Sequence, residues 1–230
     1  MRIDKTLTAA LLFLALGIGL ACQQQPDGQQ GGHSGGDQPH MEHRFEDAEE
    51  YARAFDDPAR DAWQMPERII ETLGIQEGQT VADVGAGTGY FAGRLARTTG
   101  ARAVYAVDIE PSMVDYTSKR AEEAGLDNVV TVMGGSARTN LPEPVDLVLI
   151  VDPYHHLPDR VDYFTHLHED LQPSGRLAII DFRKDSPVGP PVKFRFTPEQ
   201  ITDELERAGF RLAEQHDFLP RQMFLVYETS

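Results

Sequence analysis

The chain has 230 residues, 40% of them apolar, which is enough for one sizeable core and too few for two comfortable ones. Its formal charge of −16 makes a surface that repels phosphate backbones, so nucleic acid is not expected as a partner. The single cysteine, Cys22, excludes an internal disulfide framework and leaves the rest of the chain without a thiol for chemistry or metal binding.

Residues 1–22 read as a signal or anchor segment. Arg2 and Lys5 give a basic start, and 6–21 is an uncharged run rich in Leu and Ala. Its 16 residues fall short of the roughly 20 that span a bilayer as a helix. The run ends in Gly19-Leu20-Ala21-Cys22, and small residues before a cysteine resemble the bacterial lipoprotein signal. That resemblance implies cleavage before Cys22, acylation of it, and membrane association through the N-terminal anchor alone. An ordinary secretory signal and an uncleaved anchor are the other readings. Residues 23–43, rich in Gln and Gly, bury too little to repay ordering and read as a flexible linker reaching ~25 Å. His33, His40 and His43 are solvated linker residues on this reading.

The texture changes at residue 44. A domain spanning 44–230 is expected, with a helical cap over 44–75. Phe45, Ala48, Tyr51, Ala52 and Phe55 recur at helical spacing, and Asp57-Pro58 breaks that helix. A second helix runs from Pro66 through Ile69, Ile70 and Leu73 to Gly74. Apolar strands are then predicted at 80–84, 103–107, 129–133, 147–151 and 177–181, with helices at 90–97, 112–124 and 160–171 between them. Such alternation predicts an α/β, doubly wound, mostly parallel sheet covered on both faces. Pro173-Ser174-Gly175 reads as a turn into the fifth strand. Thr197 with Gln200 forms a capping box, Pro198 opens the last helix and Gly209 closes it. Residues 210–216 and 222–227, joined by a short loop, predict a final antiparallel pair.

The chemistry concentrates in Asp83-Val84-Gly85-Ala86-Gly87-Thr88-Gly89, where a strand enters a glycine-rich turn that opens a helix. The third glycine comes one residue earlier than in the dinucleotide fingerprint, and Asp83 precedes the turn. An acid there suits a cation better than a pyrophosphate, which points to S-adenosylmethionine. Asp108 ends the second strand, 23 residues after Gly85, where a carboxylate can accept from both ribose hydroxyls.

On these residues, 80–182 resembles the class I S-adenosylmethionine-dependent methyltransferase family, in its small-molecule branch. The resemblance implies seven strands in the order 3-2-1-4-5-7-6 with the last antiparallel. It sets Asp83, Gly85, Gly87 and Gly89 toward the methionine part of the cofactor and Asp108 on the ribose. Gly135-Ser136-Ala137 would flank the adenine, with Ser136 standing where many relatives carry an acid. The stretch from Arg44 to Pro66, which includes Asp57 to Gln64, resembles the cap preceding the fold in a bacterial subgroup of undefined substrate.

The fourth strand ends in Asp152-Pro153-Tyr154-His155-His156, at the edge where such sheets bind ligands. Asp152 is counted with the cofactor residues. His155, His156 and Asp181 are the candidate bases, since a hydroxyl or protonated amine must lose a proton. Tyr154, Trp63 and Phe45 are expected to wall a small-molecule acceptor pocket. Asp152-Pro153-Tyr154 also resembles, with one proline missing, the box of amino-methylating DNA enzymes, which the acidic surface disfavours. No metal is expected. A cysteine-free domain excludes covalent cytosine-C5 and thiol-dependent arsenite chemistry. Two other readings stand beside the methyltransferase. One is a tethered, non-enzymatic binder of a nucleoside-like ligand, suggested by the outward-pointing N-terminus. The other is an NAD-dependent oxidoreductase, disfavoured by the glycine spacing.

Overall fold

A computed structural model describes residues 40–41 and 45–230. The anchor segment with Cys22, and the linker histidines His33 and His43, lie outside the described residues.

The chain first builds a cap. Asp47 accepts from the Glu50 amide (3.1 Å) and starts α1, Ala48–Phe55. A 3-10 turn at Pro58–Arg60 leads into the short α2, Asp61–Gln64. Pro66 opens α3, Pro66–Leu73, and Gly74 ends it at a left-handed φ of 59°. The alternating part follows: β1 Thr80–Val84, α4 Ala92–Thr98, β2 Ala103–Asp108, α5 Pro111–Glu123, β3 Val129–Met133, β4 Val145–Val151, α6 Arg160–Glu169 and β5 Leu171–Phe182. The chain closes with α7 Pro198–Arg207, β6 Phe210–His216 and β7 Gln222–Thr229.

The seven strands stand in the order β3-β2-β1-β4-β5-β7-β6, and only the pairings made by β7 are antiparallel. This is the doubly wound architecture expected from the sequence. Alternate residues of each central strand face opposite layers. Ala82, Val148 and Ile179 pack with Phe164 of α6 and Leu205 of α7. Val81, Leu149 and Ile180 pack with Ile69 and Leu73 of α3 and Leu95 of α4. Because both faces are covered, the central strands are mostly apolar, and each large buried side chain contributes ~1.5–3 kcal/mol.

One expected turn is absorbed into a strand. Pro173-Ser174-Gly175 falls inside β5, where the pairing jumps from Val145–Leu171 to Leu147–Arg176. The chain bulges out and returns to the same ladder, so pairing on both sides of the break overrides the turn composition. The capping box at Thr197 and Gln200 forms as read.

β1, β2, β4 and β5 run parallel, so their carboxyl ends share one edge of the sheet. Asp83, Asp108, Asp152 and Asp181 lie at or just beyond these ends.

Candidate active site

The glycine turn is held from below. Asp83 is buried and accepts from the Ala92 amide at the start of α4 (2.9 Å). Burial lifts its pKa to about 7, the Ala92 bond and Arg60 pulling the other way and Asp108 reinforcing the rise. Asp83 therefore ties the strand to the helix beneath the turn. Gly85, at φ 76°, has no room for a side chain: a Cβ would sit 2.6 Å from Cγ of Pro153. Its bareness serves the approach of the β4 loop. Gly89 packs against Thr117 in the same way. Gly87 looks outward, and a Cβ there would meet the Phe55 ring of the cap at 3.5 Å.

Asp108 joins the turn to β2. One carboxylate oxygen accepts from the Gly87 amide (2.8 Å) and the other from the Glu110 amide (2.9 Å). Burial raises its pKa against these two donors. An ionised carboxylate offers about four lone-pair sites, so acceptor capacity is left for a ligand. Ser136 lies in the exposed loop after β3.

At the end of β4, Asp152 adopts a left-handed φ of 75°, uncommon for a residue with a side chain. Its carboxylate accepts from Gln222 and, at 3.4 Å, from Gln64; Arg60 approaches to 3.5 Å. Burial raises its pKa and the Arg60 charge lowers it.

The following 3-10 turn, Tyr154–His156, sends its side chains in different directions. Tyr154 does not wall an acceptor pocket. Its ring is fully buried against Phe164 and Phe196, and its hydroxyl donates to Glu204 (2.5 Å). The tight turn rotates it into the core, where a phenol with a carboxylate partner is well satisfied. His155 points to β5: Nδ1 lies 3.1 and 3.2 Å from the two oxygens of Asp181. Two of the three candidate bases thus form one buried pair. His156 lies tilted against His155 at 4.3 Å between ring centroids, and its Nδ1 donates to the Met41 carbonyl (2.8 Å). Met41, assigned by composition to the linker, also donates its amide to the His155 carbonyl (2.9 Å).

The cap closes over this edge. Phe45 packs on Tyr51, Phe55 and His156, so it does stand at the histidines. Trp63 packs on Phe182 at the end of β5, with Arg221 over its ring. Asp61 holds the cap down through the Tyr90 hydroxyl and Arg94 (3.0 Å), and Asp56 does so through Thr88 (3.0 Å) and Arg120 (2.8 Å).

Residues 81–175 match the family model described as a methyltransferase domain. A solved SAM-dependent methyltransferase from Aquifex aeolicus superposes with a TM-score of 0.73 at 27% identity, covering 80% of this chain and 99% of its own. The chain has the Rossmann-like methyltransferase fold. Curated relatives of the chain include erythromycin 3''-O-methyltransferase of Saccharopolyspora erythraea, 34% identical over 56% of this chain and 44% of its own length. A protein-L-isoaspartate O-methyltransferase of Aeropyrum pernix is 34% identical over 54% of this chain and 44% of its own. The chain spans less than half the length of these two relatives.

Sequence reasoning missed Arg60, Gln64 and Gln222, the side chains that dress Asp152. Arg60 and Gln64 stand four apart on the cap, the one local signal that they share a face. Among the described residues no group of three His, Cys, Asp or Glu is placed to hold a metal ion, and no helix is long and apolar enough to cross a membrane.

Proposed function

We propose that this chain is an S-adenosylmethionine-dependent methyltransferase that methylates an oxygen of a small-molecule acceptor. The observation that carries the reading is the carboxylate-lined edge of a methyltransferase-type sheet, with Asp108 at the end of β2 and the His155–Asp181 pair at the ends of β4 and β5. The donor set fits the cofactor. Asp108 retains acceptor sites for ribose hydroxyls, Gly87 leaves an outward face, and the Asp152 carboxylate suits a ligand bearing sulfonium and ammonium charges, with Asp83 holding the turn from beneath. When bound, the cofactor supplies a methyl group activated by positive sulfur.

The chain's own part is alignment, exclusion of water and proton removal. Phe45, Phe55 and Trp63 of the cap screen the edge from solvent. Asp181, as a carboxylate, only accepts, so the proton of His155 sits on Nδ1 and Nε2 is the basic nitrogen. His155 takes the proton of the acceptor hydroxyl, and Asp181 orients the ring and stabilises the imidazolium. The relatives named above, both O-methyltransferases, support an oxygen acceptor, and the erythromycin enzyme supports a small molecule.

The reading includes attachment to a membrane through residues 1–22 and Cys22, supported by the lipoprotein-like run before that cysteine. The same run favours one alternative, a tethered binder of nucleoside-like ligands that transfers nothing. Calorimetric titration of the purified full-length chain separates these. Micromolar affinity for S-adenosylmethionine and its demethylated product, about −8 kcal/mol, with labelled methyl passing to hydroxylated acceptors, is expected. Binding without transfer to any acceptor would favour the tethered binder. A folded sample that binds neither ligand would refute the assignment.

A further inference from the structure

Arg60 stands 3.5 Å from Asp152, and its positive charge also bears on the buried Asp83. Its side chain is 15% exposed and fixed on three sides. It lies over the Tyr90 ring at 4.2 Å, Nη1 donates to the Phe55 carbonyl (2.8 Å), and Nε donates to Gln64. These contacts hold the plane and direction of the fork. They do not use up its outer nitrogen. Nη2 reaches Asp152 only at 3.5 Å, the limit of a hydrogen bond.

The contrast with Arg160 shows what a completed fork looks like here. Arg160 meets Glu204 with Nε at 2.6 Å and Nη2 at 3.0 Å, one nitrogen to each carboxylate oxygen. Arg60 has the rigidity of such a pair without the close carboxylate. Its place in the fold narrows the partner. Phe55, whose carbonyl holds Nη1, has its ring over Gly87, and Tyr90 directly follows the glycine turn. Arg60 therefore bridges the glycine turn and Asp152 at the end of β4, while the His155–Asp181 pair joins the ends of β4 and β5 beside it.

We propose that Arg60 receives the α-carboxylate of the amino-acid end of S-adenosylmethionine, and so selects ligands that carry that end. The inference rests on the cofactor reading above. A ligand carboxylate entering an edge lined by aspartates is repelled unless a fixed cation meets it, and a planar guanidinium matches a carboxylate through two parallel bonds. The cap thereby recognises the cofactor as well as covering it.

The test compares two ligands that share adenine, ribose and thioether. S-adenosylhomocysteine carries the amino-acid end, and 5′-deoxy-5′-methylthioadenosine lacks it. Calorimetry on the full-length chain is expected to show Arg60→Gln losing about 10- to 100-fold in affinity for the first ligand, with the second changed less than about threefold. Arg60→Lys, which keeps charge without the fork, should fall between. The second ligand reports whether the cap and pocket remain folded. An equal loss for both ligands would make Arg60 a structural anchor and overturn the proposal. So would no change for either, or a gain for S-adenosylhomocysteine, which would mean that the guanidinium competes with the ligand. A wild-type chain that binds neither ligand overturns the cofactor reading, and this proposal with it.

Discussion

Tyr154 and His155 are neighbours on one turn, yet they enter two buried charge networks that differ in kind. On the Tyr154 side, Glu204 accepts from the Tyr154 hydroxyl and from two nitrogens of Arg160, while Nη1 of Arg160 donates to the Leu157 carbonyl (3.1 Å). Arg160 also lies over the Phe196 ring at 4.3 Å. Each charge has its complement, and the network joins α6 to α7 away from the sheet edge. On the His155 side, Asp181 accepts from its own Phe182 amide (2.6 Å) and from the His155 ring and amide, and the pair meets the cap through His156 and Phe45. A closed network is a fastening. The other ends on an imidazole beside the cap, the group assigned above to proton removal.

The sharpest way to break this comparison is to cut the closed network. Glu204→Ala strands the Arg160 charge at a site where both side chains are less than a tenth exposed, and should cost about 3–5 kcal/mol. Denaturant unfolding measures it, and a loss below about 1 kcal/mol would mean that the fastening is unimportant. The open network should behave oppositely. Asp181→Asn is expected to lower the rate of methyl transfer about 100-fold, roughly 2.7 kcal/mol in the barrier, with S-adenosylhomocysteine affinity unchanged. Equal turnover in the variant would remove the pair from catalysis.

A third prediction concerns Asp83, the buried acid beneath the glycine turn. Its folded pKa, about 7, lies above its unfolded value of 3.8, so the folded state holds the proton more tightly. The associated stability is fully present below pH 3.8 and is lost as the pH rises to about 7, at up to about 1.4 kcal/mol per pH unit. Asp83→Asn should flatten that part of the stability profile. A variant whose profile parallels the wild type would show that Asp83 titrates at the same pH in the folded and unfolded chain. The smallest effect is expected at the exposed capping box that starts α7. Thr197→Ala removes the bond to the Gln200 amide and should cost about 1 kcal/mol of stability without changing turnover.

Where a residue's fate depends on near neighbours, the sequence was readable. The strands at Thr80–Val84, Val129–Met133 and Phe210–His216 have the bounds their apolar runs and flanking turns imply. Asp108 stands at the end of β2 because a strand entered after a fixed helical crossover ends at a predictable place. Where a side chain's direction depends on one backbone angle, the reading failed. Tyr154 was expected to face the ligand edge, and the 3-10 turn after Asp152 rotates it into the core. Arg60 was invisible for another reason: its partner Asp152 lies 92 residues further on, and no local pattern connects them.

The sequence by itself determined the alternating elements, the glycine turn and the acids that end the strands, because hydrophobic period and turn chemistry act over a few residues. Only the tertiary structure decided which acids are tied to protein donors and which face the cap. It also decided that His155 meets Asp181 and that Arg60 meets the carboxylate edge. Those outcomes follow from packing the cap and β5 against β4, and burial and hydrogen-bond satisfaction act on neighbours in space, whatever their distance along the chain.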